Sequence, residues 1–356
     1  MRKQSEKERM AMRELALEAE DGARLHGWSL EPQAEDEAKR SGWSQEPQAE
    51  EESRPPERQE TDRRAASPGR QEPSDGSRGT GKNPSRAERP EPFLAAPKAS
   101  PSRVKPRAAV CLVHGMGEHS GRYAELAQAL AEAGIAVLAY DQRGHGRSPG
   151  PRGHADSMER LTADAARAVA EAARLWPDAP LFLYGHSMGG AVALAAALER
   201  ELPLAGLILT SPWLRLASPP SRVSEAAASW IGRLRPTFAL PTGIKQRDLY
   251  RPGVHAVAGS VMDRLCHTRI SVSMYRAVTA AGKRALSDAG RLAVPALLLH
   301  GTEDRVTSLR ASEELADALG PRCTFRRWER GYHELHHDER REEVIETVKM
   351  WIYANS

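Results

Sequence analysis

The chain has 356 residues, of which 28% are charged and only 5% aromatic, with 25 prolines and a formal net charge of +3. That balance is too near neutral to mark a nucleic-acid binder, and no window approaches the roughly 18 apolar residues of a membrane span. The 3 cysteines, Cys111, Cys266 and Cys323, stand far apart without metal-ligand spacing, which argues against a disulfide framework and leaves them as small apolar residues.

In chain order, the opening MRKQSEKERMAMRELALEAE lacks the apolar centre of a secretory signal. It would make at most a charged helix with a thin apolar face. GWSLEPQAEDEAKR from Gly27 and GWSQEPQAEEESR from Gly42 then repeat an acidic unit, too few copies for a solenoid. Trp28 and Trp43 read as incidental residues of a disordered segment. From Ser53 to Ser102 the chain is a Pro/Arg/Glu/Ser tract that cannot bury enough apolar surface to offset its ordering entropy. The expectation is a disordered, low-complexity extension over 1–103 and a folded domain over 104–356.

That domain alternates strand and helix signals. AAVCLVHG, IAVLAYD, LFLYG, LAGLILTSP and VPALLLHGTED read as buried strands. YAELAQALAEAG, SMERLTADAARAVAEAARLWP, the Ala-rich run after Ser187 and EVIETVKMWIYA read as helices. The pattern predicts an α/β fold with a mostly parallel sheet covered on both faces. Between about 212 and 293 the rhythm breaks into a Pro-, Trp- and Leu-rich insertion, read as a helical cap over the carboxyl ends of the strands.

Gly185-His186-Ser187-Met188-Gly189 is G-x-S-x-G between a strand and a helix, the context of a nucleophile elbow. Serine needs a base oriented by an acid. Asp304, just past a late strand, is the preferred acid and Glu303 its rival. RGYHELHHDER offers His333 as base, with His336 and His337 read as loop or surface histidines. An oxyanion hole would use the backbone N–H groups of Met188 and of Met116 in VHGMGEHSG. DQRGHGRS, with Asp141 and His145, is read as a structural loop beneath the site.

HGMGEHSGRYAELAQALAEAGIAVLAYDQRGHGRSPGPRGH, with GHSMGG, HGTEDRVT and YHELHHD, resembles the monoacylglycerol lipase / lysophospholipase branch of the α/β-hydrolases. The resemblance runs from about Ala108 to Ile352. It implies an α/β-hydrolase fold, Ser187 as nucleophile, Asp304 as acid, His333 as base, a lipid ester as substrate, and neither metal nor organic cofactor. Lysophospholipase, carboxylesterase or thioesterase activity and a ligand-binding protein without catalysis stay open. The resemblance also implies an edge strand or hairpin before the HG loop. PFLAAPKASPSRVKPRAAV is too Pro-rich for that, so either the sheet lacks these strands or Pro92–Lys98 substitutes poorly. On that reading the leader stems from a misassigned start. In the cap, Trp213, Leu214, Phe238 and Met274 are the candidate acyl-chain contacts. The chain is expected to be cytoplasmic, with at most transient contact with a membrane or micelle surface.

Overall fold

The computed structural model describes residues 12–33, 105–251 and 263–356. The sheet is built in the order β1 (Arg13–Glu18), β2 (Arg24–Leu30), β4 (Ile135–Tyr140), β3 (Ala108–Val113), β5 (Leu181–His186), β6 (Gly206–Thr210), β9 (Ala296–Gly301), β10 (Cys323–Trp328). From β4 to β10 every neighbouring pair is parallel. β1 and β2 form an antiparallel hairpin that joins β4 antiparallel. On β3, Ala109, Cys111 and Val113 face one core and Ala108, Val110 and Leu112 the other. This period-two alternation between two apolar layers explains why the strand reads as one unbroken apolar run.

One layer holds α2 (Met158–Leu175) and α3 (Met188–Glu199), and the other holds α1 (Ala124–Glu132) and the C-terminal α8 (Arg341–Ala354). α2 starts where Ser157 accepts a hydrogen bond from Arg160 N, a side-chain N-cap. α7 (Leu309–Leu319) starts at Ser308 in the same way.

The hairpin overturns several sequence expectations. Residues 13–30 are neither helix nor disordered, and the sheet does have its edge strands. Residues 13–30 are thus an integral part of the sheet, whereas Pro92–Lys98 and Trp43 lie outside the described residues. Trp28 is 4% exposed, and its Nε1 donates to Ser120 Oγ at 3.0 Å. At the hairpin turn, Asp21 takes a hydrogen bond from Arg143 Nη1 at 2.9 Å, while Asp164 takes Arg143 Nε at 2.6 Å. The hydrogen bond from Arg143 holds the Asp21 carboxyl down at about 2. Leu25 and Leu30 are buried in β2, and the corresponding residues of the second copy of the repeat are Arg40 and Gln45.

The insertion after β6 also differs from a purely helical cap. It contains α4 (Arg222–Leu234), the short α5 (Gln246–Leu249), a ribbon of β7 (Ala239–Pro241) and β8 (Arg269–Ser271), and α6 (Val272–Asp288). α6 is no lid. Met274, Val278, Ala281 and Ala285 are buried in the same apolar layer as α3. α7 and β10 carried no recognised signal, since the edge strand β10 interrupts its inward Cys323 and Phe325 with Arg326 and Arg327.

Replacing Trp28 with alanine removes a buried ring and leaves a cavity beside Ser120. The unfolding free energy should fall by about 3–5 kcal/mol, read from the denaturant midpoint by circular dichroism.

Candidate active site

β5 runs directly into α3 through Ser187, whose φ of 53° and ψ of −118° are rare for a side-chain-bearing residue. The turn needs its glycines. A β-carbon on Gly189 would lie 2.2 Å from Val113 O, and one on Gly185 would lie 2.5 Å from Gly189 O. Backbone hydrogen bonds from Ser187 N to Thr210 O (3.0 Å) and from Trp213 N to Ser187 O (2.8 Å) tie the turn to the end of β6. Met188 opens α3, so its N–H belongs to the unpaired donors of a helix N-terminus.

The structure brings the expected nucleophile, base and acid into one chain of hydrogen bonds. Ser187 Oγ lies 2.9 Å from His333 Nε2, and His333 Nδ1 lies 2.8 Å from Asp304 Oδ2. Since a carboxylate only accepts, Nδ1 carries the proton and Nε2 is free to accept from the serine. Asp304 also accepts from Val306 N at 2.8 Å, Thr307 N at 3.0 Å and Thr307 Oγ1 at 2.8 Å. His300 Nε2 stands 3.2 Å from the same carboxylate. Burial alone would raise the Asp304 pKa, yet the charge of His333 and hydrogen bonds from His300 and His333 bring it well below the usual carboxylate range. For His333, burial lowers the pKa, but the adjoining Asp304 charge outweighs it and the net direction is upward. Glu303, the rival acid, is exposed and is not among the residues lining the cleft.

Met116 follows β3 in a loop braced by charges. Glu118 Oε1 accepts from Gly115 N at 2.6 Å and from Tyr123 OH at 2.7 Å. Arg122 donates through Nε to Glu118 Oε2 at 2.9 Å, and through Nη2 to Tyr250 OH at 2.6 Å and to Glu334, the neighbour of His333. Buried charges of this kind are tolerated only when paired and hydrogen-bonded. Sequence reasoning passed over Arg122, Tyr250, Glu334 and His300, because nothing in their local sequence names partners that far along the chain.

His336 and His337 are buried, not surface residues. The His336 ring stacks on Tyr123 at 4.5 Å, and its burial with His337 and His186 nearby keeps it neutral, with a pKa well below the ordinary value. His337 Nδ1 pairs with Glu334 at 2.7 Å. His145 hydrogen-bonds Arg143 O and lies 3.4 Å from Met116 Sδ. Asp141 accepts from Ser120 N and Oγ and from Arg147 N, so the loop beneath the site is a structural hub.

Above Ser187 opens a cleft of ≈ 1650 Å³, and among its lining residues are Met116, Trp213, Leu216, Ile270, Val272 and Tyr275. Of the four candidate acyl contacts, Trp213 faces the cleft. Leu214, Phe238 and Met274 do not line it. Leu214 and Met274 are spent in the core beneath α6, and Phe238 is partly exposed on the cap. The apolar wall comes instead from β8, α6 and Leu216.

The sequence model of the Hydrolase_4 family (Serine aminopeptidase, S33) matches residues 104–340. An uncharacterized abhydrolase domain-containing protein of Dictyostelium discoideum is 35% identical over 253 residues, which make up 70% of this chain and 27% of that protein. The chain thus spans about a quarter of that relative's length. The Homo sapiens monoglyceride lipase is 33% identical over 252 residues, 69% of this chain and 82% of that protein. The crystal structure of the Paleococcus ferrophilus monoacylglycerol lipase aligns with a TM-score of 0.64 at 34% identity, over 71% of this chain and 96% of that one.

A base at His333 must be neutral to accept a proton, so kcat/KM should fall as pH drops through its pKa. With Asp304 in place that midpoint should lie above the free-imidazole value of about 6.5. In Asp304→Asn the midpoint should move downward, because burial is then opposed only by the weaker effects of the Glu334 and Glu118 charges, and kcat should fall by roughly 10⁴. Paired pH–rate profiles check both.

Proposed function

As the chain belongs to the Hydrolase_4 family of serine hydrolases in the α/β-hydrolase superfamily, alongside the monoglyceride lipases, we propose that it hydrolyses monoacylglycerols to glycerol and fatty acid through an acyl-enzyme on Ser187. The observation that carries this reading is the Ser187–His333–Asp304 relay at the floor of a cleft walled by apolar side chains.

In this mechanism His333 Nε2 takes the Ser187 proton as Oγ attacks the ester carbonyl. The negative charge moves to the carbonyl oxygen, where the Met116 and Met188 amides and the N-terminus of α3 stabilise it. Asp304 holds the imidazolium that forms. His333 then protonates the departing glycerol oxygen, and the acyl group remains on Ser187. A water molecule, deprotonated by the same imidazole, releases the fatty acid and restores the serine.

The cap supports contact with a lipid surface. Val223, Trp230 and Leu234 on α4 are 80%, 67% and 67% exposed, and their spacing places them along one side of the helix. Such a stripe suits transient seating on a micelle or bilayer. Among the described residues no helix is long and apolar enough to cross a membrane.

Ser187→Ala should lower kcat on a monoacylglycerol by a factor on the order of 10⁶. Turnover of a short p-nitrophenyl ester without any monoacylglycerol turnover would reduce the assignment to an esterase, and a faster rate on lysophosphatidylcholine would favour the lysophospholipase reading. A second comparison separates the surface role. Trp230→Ser should slow hydrolysis of micellar monoacylglycerol several-fold while leaving the rate on a dissolved short ester unchanged.

A further inference from the structure

We propose that His119, Asp263 and Cys266 form a binding site for one divalent metal ion of the zinc class, joining the cap to the oxyanion loop. Their ligand atoms all lie within 4.8 Å of one another. Donor atoms at the corners of a zinc tetrahedron stand about 3.5 Å apart, so small side-chain rotations close the set.

The residues come from two separate pieces of chain. His119 immediately precedes the 3₁₀ turn Ser120–Tyr123, and its Nδ1 accepts from Gly121 N at 3.2 Å. Its Nε2 donates to Asp263 Oδ2 at 2.7 Å. Asp263 and Cys266 lie in the segment that leads back from the cap into β8, and both line the cleft. Asp263 Oδ1 is engaged by Leu265 N at 2.9 Å, which leaves Oδ2 directed at the histidine. The Cys266 thiol has no hydrogen-bond partner among the described residues and is not in a disulfide. His119 and Asp263 side chains are 12% and 23% exposed, so an ion can reach them from the cleft.

The donor set selects the metal. Sulfur, imidazole nitrogen and carboxylate oxygen together suit zinc, with water at the fourth corner. Magnesium and calcium require oxygen ligands and are excluded by this set. On binding, the thiol of Cys266 loses its proton to solvent and the sulfur takes a place on the metal. His119 turns to its Nδ1–H tautomer, freeing Nε2 for the metal and giving up the weak bond from Gly121.

The second cluster, Glu334, His336 and His337, does not compete. Glu334 is held by Arg122 and Tyr250, and His337 by Glu334 and the Arg122 carbonyl. The consequence of the first site is mechanical. The same cap segment already meets the oxyanion loop through the bond from His267 N to Gly117 O at 2.7 Å. A bound ion adds a second tie beside it. The expectation of no metal rested on cysteine spacing and on the family resemblance, and here only the fold unites the ligands.

The test is calorimetric titration of the untagged, phosphine-reduced full chain with Zn²⁺ and with Mg²⁺, together with Tm measured with and without each ion. One zinc per chain should bind and raise Tm, since the ion binds only the folded state, and magnesium should do neither. Cys266→Ala should weaken zinc binding at least roughly tenfold and abolish the rise, with its metal-free Tm close to wild type. His119→Gln should behave alike; if that variant folds poorly, Cys266→Ala decides alone. A wild-type chain that binds no zinc overturns the proposal, as does zinc binding of wild-type affinity in Cys266→Ala.

Discussion

Helix α3 approaches β3 so closely that a single methyl group at Gly189 would overlap the Val113 carbonyl oxygen, at a distance of 2.2 Å. With glycine there, the turn after β5 can be tight, and Ser187 is left at its crest in a left-handed backbone conformation. The proposed catalytic arrangement is built on that contact. It places Ser187 at the N-terminus of α3 with its Oγ 2.9 Å from His333 Nε2, and in the proposed mechanism the positive end of that helix favours the charge that forms on the carbonyl oxygen. The strain of the serine backbone is held by its bonds to Thr210 and Trp213 on the neighbouring strand end.

The partners of the serine are fixed by electrostatics among largely buried side chains. The Asp304 side chain is fully buried and satisfied by backbone N–H groups, Thr307 and His333. A carboxylate so well provided stays ionised and favours a proton on the adjacent imidazole. Around this relay a second buried network, centred on Arg122, joins three pieces of chain. Glu118 belongs to the loop carrying Met116, Glu334 follows His333, and Tyr250 comes from the cap. The loop carrying Met116, the loop carrying His333 and the cap are therefore joined by one guanidinium. Removing one member of such a network would leave another charge buried without its partner, which costs more than the pair itself contributes.

The N-terminal hairpin shows how far apart in sequence a fold can recruit its edge. β2 ends at Leu30, and the strand two places beyond it in the sheet, β3, begins only at Ala108. Its attachment is nonetheless specific. Trp28 reaches Ser120, Asp21 reaches Arg143, and His26 N donates to Ser148 Oγ. Ser120, Arg143 and Ser148 all lie in or beside the loops that shape the floor of the site. The hairpin thus protects β4 from being an open edge and also buttresses the catalytic face.

Much of this protein was legible in its sequence because it rests on local sterics and periodicity. G-x-S-x-G between an apolar run and an Ala-rich run allows few conformations other than the elbow, and repeated strand–helix alternation leaves little choice but a parallel sheet. Asp304 and His333 were readable for the same reason, each being placed by the element beside it. What required the tertiary structure were properties of pairs remote in sequence. RLHGWSL became a strand through register with β4, and RELALE through register with RLHGWSL, which no window of charged residues reveals. Met274 and Leu214 look like acyl contacts until α6 is seen to bury them against α3. The Arg122 network, the burial of His336, and the meeting of His119 with Asp263 and Cys266 depend on chain crossings that composition does not encode. Local patterns determine which backbone shapes are possible, and only long-range packing decides which side chains share a dry space and so interact strongly.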